Sequence, residues 1–245
     1  MSGEARDGER VMAFFDLDGT LIPEPSLEMR FFAALRQHDG IPFANYLRWG
    51  VEALHLLPQG LLAVQHGNKR YLTGVCSELA SKYLESIAFF KEGVERIEWH
   101  VRKGHEVVLL TGTLEPLARL AATALECELE ARGLATRFRI CATRLEQKHG
   151  RWTGHLVGDA LFAQTKACAM EQLARVEKVD LRQCHGYGNS LTDRYFLSAV
   201  GHANAVNAGR DMAAVANERG WTIWHWHLEK KLDAEENAAL TEGIQ

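Results

Sequence analysis

The residues best suited to chemistry in this chain are two aspartates, Asp16 and Asp18, which end the apolar run Val11-Met12-Ala13-Phe14-Phe15. Two positions apart, they share a face if the backbone stays extended. Ionised together and unpaired in a partly buried place, they repel at high cost. A hard divalent cation such as Mg²⁺, which prefers oxygen ligands, removes that cost. Gly19 follows and permits a sharp turn, with close approach of a ligand to backbone N–H groups. Thr20 and Thr111 bring hydroxyls able to donate to anionic oxygens. Lys166 supplies a counter-charge if its helix points at the same place. An electropositive pocket floored by a carboxylate suits a phosphate group.

Three polar clusters must meet for this to work. They are Asp-Leu-Asp-Gly-Thr after Val11–Phe15, Thr-Gly-Thr after Val107–Leu110, and Gly-Asn-Ser-Leu-Thr-Asp after Leu181–Tyr187. Each follows a strand-like run, and ligands of α/β sheets bind where strands end. If the three strands are neighbours, the clusters share one edge. Strand-like runs alternate with helical patterns from His105 onward, which implies a parallel sheet covered on both faces. Glu115–Gly133 and Leu161–Val176 read as helices, the first stopped by its glycine. Arg137–Gly158 reads as a strand and then a hairpin turning at His149-Gly150. Short strands are expected in Ala199–Val206 and Trp221–Trp226.

Between Ser26 and about Lys103 the pattern is helical throughout. Ser26–His38 opens on a serine cap and carries Leu27, Phe31, Ala34 and Leu35 at helical spacing. Pro42–Leu57 starts with proline at a first helical position. Ser77–Phe90 and Gly93–Gly104 also read as helices. The aromatics Phe31, Phe32, Tyr46 and Trp49 read as core of this insertion, contact of part of the cluster with substrate being the alternative. The domain expectation is an α/β core over 11–22 and 93–245, a helical cap over 23–92 and a tail over 1–10.

The bulk numbers exclude several classes. The chain has 245 residues, 47% hydrophobic, with 28 Lys and Arg against 32 Asp and Glu, so a real core can form and no basic excess points to nucleic acid. Its five cysteines are scattered, without a C-x-x-C, as reduced thiols in a cytoplasmic protein would be. The first ten residues are charged and lack the apolar core of a signal peptide. No stretch approaches the ~18 uninterrupted apolar residues of a membrane span. His225 and His227 share a face of the last strand but have no third ligand nearby, so an edge strand packing Trp224 and Trp226 is the better reading. Neither a repeat nor a low-complexity segment is present, and oligomeric state is not readable.

The motifs resemble the haloacid dehalogenase superfamily of phosphohydrolases. Asp16-Leu17-Asp18-Gly19-Thr20-Leu21 is similar to its first signature, Leu109–Thr113 to its second, Lys166 to its third and Gly188–Asp193 to its fourth. They fall in the right order and span most of Val11–Ala205. The insertion directly after the first motif, and the hairpin leading to the lysine, resemble the phosphoserine phosphatase-like branch (subfamily IB). The implied fold is a doubly wound, Rossmann-like parallel sheet with an inserted small all-α cap.

The resemblance also implies roles. Asp16 would attack phosphorus and form an aspartyl-phosphate. Asp18 would protonate the leaving alcohol and then activate water. A halide needs no proton and an alkoxide does, so the pair favours a phosphomonoester over a carbon–halogen bond. Thr111 and Lys166 would stabilise charge on the transferring oxygens. Gly19, Thr20 and Gly112 would bind the phosphate. Mg²⁺ would be held by Asp16, Asp18 through its carbonyl, Asn189 and Asp193. The expected function is Mg²⁺-dependent hydrolysis of a small phosphomonoester. A phosphotransferase using the same intermediate is one alternative, since water and a second alcohol are both open as acceptors. A non-catalytic phospho-ligand-binding protein is another.

Two departures stand out. The fourth motif usually begins Gly-Asp, and here Asn189 takes the aspartate's place, which lowers the expected metal affinity. The glutamate that binds the substrate amine in phosphoserine phosphatases falls at Pro25, with Glu24 and Glu28 as the nearest carboxylates.

Overall fold

The computed structural model describes residues 10–84 and 86–228. The tail expected over residues 1–10 lies outside them except for Arg10, which pairs with Glu106 at 2.8 Å and Glu177 at 3.0 Å. Strand β1 (Met12–Phe15) is the centre of the molecule, and all four of its side chains are fully buried. That is the signature of a parallel strand covered on both faces. Ala13 and Phe15 enter one apolar cluster, Met12 and Phe14 the other. Burial of each phenylalanine contributes on the order of 2–3 kcal/mol.

Six strands make the main sheet: β1, β2 (Glu106–Leu114), β3 (Arg139–Thr143), β6 (His185–Gly188), β7 (His202–Val206) and β8 (Thr222–Trp224). Their spatial order is β3-β2-β1-β6-β7-β8, and every pair is parallel. Helices α5 (Lys91–Arg102) and α6 (Glu115–Ala131) supply Val94, Ile97 and Leu117 to one face. Helices α7 (Ala163–Glu177), α8 (Arg194–Leu197) and α9 (Arg210–Arg219) supply Met170, Phe196 and Met212 to the other. This is the doubly wound sheet the strand–helix alternation predicts. The order reverses at β1, which places a crevice beyond the tips of β1, β2 and β6.

Between β1 and α5 the chain forms α1 (Leu27–Gln37), α2 (Phe43–Leu56), α3 (Leu61–Gly67) and α4 (Leu79–Tyr83). Ser26 caps α1, its Oγ accepting from Met29 N at 3.3 Å. Pro42 is the N-cap of α2 rather than its first residue. Helix α2 turns Phe43, Leu47, Val51 and Leu54 outward and buries Asn45. The Asn45 amide donates to the carbonyls of Tyr71 and Thr73 at 3.1 and 2.7 Å. The helix expected over Ser77–Phe90 shrinks to α4. Ile87, Phe89 and Phe90 pack on the core instead, and Phe90 N donates to Leu21 O at 2.9 Å. The chain must return to the sheet there, and that contact outweighs helical propensity.

The hairpin β4 (Leu145–Lys148) and β5 (Arg151–Leu156) turns at His149-Gly150, both with positive φ, as a two-residue type I′ turn requires. It packs against the helical insertion. Trp152 N donates to Val75 O at 2.9 Å, Trp152 O accepts from Gly74 N at 2.7 Å, and the indole meets Phe31 edge-on at 6.0 Å. Strand β8 is the edge strand the tryptophans suggested, but it ends at Trp224. Trp226 turns inward against Gly93, and its N–H is held by Asn207 Oδ1 at 2.8 Å. His227 pairs with Glu92 at 3.0 Å.

Among the titrating groups sealed in the fold, one bears on acid stability. His100, on α5, is fully buried, and burial pushes its pKa down to about 2, with His185, His105 and Arg96 adding to the effect. It is neutral in the fold and takes up a proton on unfolding below about pH 6.5. Stability is therefore lost as pH falls from that value, by about 1.4 kcal/mol per pH unit for this group. In a chelator-containing buffer, urea midpoints should drop between pH 6.5 and 5 in the wild type, and less steeply in His100→Gln. Equal slopes would show that another group governs the acid limb.

Candidate active site

The tips of β1 and β6 bring the first, third and fourth motifs together. Asp16 N donates to Tyr187 O at 2.9 Å, so the sheet pairing itself fixes the nucleophile's backbone. Lys166 reaches up from α7 and is 3% exposed. Its Nζ donates to Asp16 Oδ1 at 2.6 Å and to Asp193 Oδ1 at 2.7 Å. Its ammonium also sits over the Phe196 ring, 4.9 Å from the centroid. Thr20 Oγ1 lies 3.1 Å from Asp16 Oδ2 and 3.4 Å from Asn189 Oδ1, so these two oxygens converge. Gly19 makes that approach possible. Its φ is +80°, and a Cβ there would meet Asn189 Nδ2 at 2.0 Å.

The second motif completes the edge. Thr111 is buried, and its Oγ1 accepts from Thr113 N at 3.1 Å. Thr113 Oγ1 donates to Asp18 Oδ2, and Leu27 N donates to Asp18 Oδ1 at 2.8 Å. Asp18 is thus oriented from two sides, one of them the first residue of α1. Gly112 lets the loop before α7 approach, since a Cβ there would lie 3.0 Å from Leu161 O. All nine residues singled out from the sequence therefore lie at one sheet edge. Thr113 was not among them, although it is the last residue of the Thr-Gly-Thr cluster. A sequence cannot tell which of two threonines flanking a glycine faces a carboxylate.

The charges do not balance. Asp16 and Asp193 share one lysine, and Asp18 adds a third carboxylate beside Asp16. Burial pushes the Asp16 carboxyl up to about 7, Lys166 pulls it down, and Asp193 and Asp18 push it further up. Asp18 is also raised, by burial, against the opposing hydrogen bonds from Thr113 and Leu27. For Lys166 burial opposes the charged form, but Asp16 and Asp193 more than offset it and its pKa rises. Excess buried negative charge beside convergent Asp16 and Asn189 oxygens fits a hard divalent cation. Asp193 engages Lys166 with Oδ1 and Ser190 with Oδ2, at 2.8 Å from its hydroxyl and 3.0 Å from its N–H. In this arrangement it holds the lysine and the loop, and contributes charge.

A cavity of about 510 Å³ adjoins this edge on the side of the insertion. Ser26 and Glu28, next to the Asp18-bound residue Leu27, form part of its wall, and Met29, Phe32, Tyr46, Trp49 and Val64 make it largely apolar. Of the four aromatics expected as core, only Phe31 is fully buried, while the other three line this cavity. Glu28 Oε1 accepts from both Lys69 Nζ and Tyr71 Oη, the latter at 2.6 Å. Lys69 and Tyr71 carry no motif signal; only tertiary packing brings them to Glu28, 41 and 43 residues away.

Comparison with known proteins gives the same picture. The family model for haloacid dehalogenase-like hydrolases matches residues 13–198. A phosphoserine phosphatase of Mycobacterium tuberculosis is 34% identical over 234 residues, covering 89% of this chain and 72% of that protein. A probable phosphatase of the same species is 28% identical over 229 residues, covering 87% and 75%. A solved protein of unknown function from Bordetella pertussis Tohama I superposes with a TM-score of 0.67 at 23% identity, covering 88% of this chain and 98% of that one. A phosphoserine phosphatase in apo form superposes with a TM-score of 0.60 at 17% identity, covering 97% and 100%. The two superpositions establish a shared fold.

Proposed function

The chain belongs to the haloacid dehalogenase-like hydrolase family, and on that basis we propose a Mg²⁺-dependent phosphatase that cleaves a small phosphomonoester through an aspartyl-phosphate on Asp16. The observation that carries this reading is the Lys166 ammonium held 2.6 Å from Asp16 and 2.7 Å from Asp193 in a buried site. The ammonium fixes the Asp16 carboxylate at the sheet edge and offsets part of the negative charge gathered there.

Asp16 is the nucleophile. Asp18, its acid form favoured by burial, delivers a proton to the leaving alcohol, and its carboxylate then takes one from the attacking water. Lys166 and the Thr111 hydroxyl stabilise charge on the transferring oxygens. Thr20 and the backbone around Gly19 and Gly112 seat the phosphate. Asp16, Asn189 and the Asp18 carbonyl would hold Mg²⁺, with charge from Asp193. When bound, the cation neutralises the phosphoryl oxygens and lets Asp16 stay ionised.

The cavity sets the leaving group. Glu28 is already paired with Lys69 and Tyr71, and Glu24 is exposed. Glu28 is thus engaged, and Glu24, close enough to Asp18 to raise its pKa, lies outside the apolar cavity wall. Apolar walls favour an alcohol with an aromatic or aliphatic body, so phosphoserine should be a poor substrate despite the name of the mycobacterial relative. A phosphate-release panel tests both points. Aryl and alkyl phosphates should turn over faster than phosphoserine with Mg²⁺, and chelator should abolish release. Release that ignores the chelator would overturn the metal reading. Trp49→Ala should raise KM for an aryl phosphate by about tenfold, the scale of one lost apolar contact, with kcat little changed.

Asn189 offers a neutral oxygen where the family's fourth motif has an anion. Asn189→Asp should keep activity and lower the Mg²⁺ concentration for half-maximal rate. An unchanged or higher requirement in a metal titration would argue against direct ligation.

A further inference from the structure

At the opposite edge of the sheet, where the parallel strands begin, four histidines gather. His105 precedes β2, His185 opens β6, His202 opens β7, and His100 comes from the last turn of α5. We propose that His100, His105 and His185 bind a borderline transition-metal ion, Zn²⁺ above all, at a site separate from the catalytic one.

Three observations converge. The first is donor geometry. One ring nitrogen from each of the three lies within 4.8 Å of the others, and His100 Nδ1 is 2.9 Å from His105 Nδ1. Nitrogens bound at 2.0–2.1 Å to one tetrahedral ion sit a little over ~3 Å apart, so a shift of a few tenths of an ångström suffices for the closest pair. The second is orientation. His100 Nε2 lies 2.9 Å from Tyr187 Oη. When that nitrogen carries the proton and donates to the phenol, Nδ1 keeps its lone pair for a ligand, the outer arrangement metal-binding histidines commonly show. The third is support. Trp99 packs edge-on against all three rings, at 4.8, 5.7 and 6.0 Å, and His202 stacks on His185 at 4.4 Å.

The chemistry selects the ion. Three imidazoles without a carboxylate suit Zn²⁺, Ni²⁺ or Cu²⁺ and offer Mg²⁺ nothing, whereas the catalytic edge is built from oxygens. His105 and His185 are half-buried, which leaves a fourth position for water. Burial keeps the rings neutral, the form that coordinates, with the pKa of His185 pushed down to about 4. Two cations oppose binding. Arg96 stacks between Trp99 and Trp224, 5.4 and 4.6 Å from their centroids, and Lys103 lies 5.9 Å from the Trp99 ring. They limit affinity to a modest level. The hydrogen-bonded alternative, a histidine cluster that only fills space, predicts no selective metal binding.

The experiment uses the full, untagged chain stripped with chelator and titrated with Co²⁺ alone. One equivalent should develop the visible bands of a four-coordinate nitrogen site. Zn²⁺ should displace it and excess Mg²⁺ should not. His105→Gln and His185→Gln should each weaken binding at least about tenfold, the effect of losing one of three ligands, while Asp16→Asn leaves it intact. Absence of the bands, their survival in both glutamine variants, or their loss in Asp16→Asn would each overturn the proposal. A second reading needs no variant. Zn²⁺ should protect His105 and His185 from diethyl pyrocarbonate, mapped by mass spectrometry, and equal labelling with and without Zn²⁺ would sink the site.

Discussion

Replacing Asp16 by asparagine is expected to abolish phosphate release, by about 10⁴-fold or more, because the group that forms the covalent bond is gone. The substitution should not unfold the protein. The folded pKa of Asp16 is pushed up to about 7 by burial, so the ionised carboxylate destabilises the metal-free fold. The sign follows from linkage. A carboxyl with a raised folded pKa is penalised above that pKa, and the penalty fades as pH falls toward the unfolded value. At pH 8 without Mg²⁺, Asp16→Asn should therefore melt at or above the wild-type temperature, and the gap should narrow by pH 5 and close near the unfolded pKa. Mg²⁺ should raise the melting temperature of the wild type more than that of the variant. Brief acid quenching of the wild type during turnover should trap one phosphoryl group on the peptide that carries Asp16. Phosphate release by the asparagine variant, or a label elsewhere, would remove the aspartyl-phosphate from the mechanism.

Lys166→Met carries the opposite signature. Methionine fills much the same space over Phe196 but leaves Asp16 and Asp193 facing each other without their shared cation. Breaking a buried pair by removing one partner costs about 3–5 kcal/mol. For a chain of this size that is a loss on the order of 10 °C in melting temperature. Protonation of Asp16 relieves the repulsion, so the deficit should shrink from pH 8 to pH 5. Activity should fall by about 10²–10³-fold, the scale of one lost donor to a developing negative charge. A variant that melts like the wild type at pH 8 would show that the lysine is not the counter-charge.

How much of this was legible in the chain depends on the range of the signal. Asp16, Asp18, Gly19 and Thr20 are adjacent, so their relation is set by a strand end and a turn, and both are local. Lys166 and Asn189 were legible for a different reason. The resemblance placed them at the family's third and fourth motifs, and the strand–helix alternation brings those motifs to one edge. The hairpin turn at His149-Gly150 was equally local. The strand-like reading of Trp221–Trp226 overran by one residue at its start and two at its end, the latter because Asn207 captures the Trp226 N–H from another strand's end.

What residue order determined, then, was the alternation that builds a doubly wound sheet and the chemistry displayed at its tips. Packing decided the rest. The Ser77–Phe90 helix shortened to Leu79–Tyr83, and Phe90 meets Leu21. Tyr46 and Trp49 became cavity wall, Phe32 joined them while still packing on the core, and Glu28 was taken up by Lys69 and Tyr71. The histidines of the far edge met only when three separate strand beginnings and one helix end were laid side by side. These outcomes turn on contacts between residues dozens of positions apart, where neither periodicity nor turn chemistry carries information; the sheet must form before those partners are neighbours.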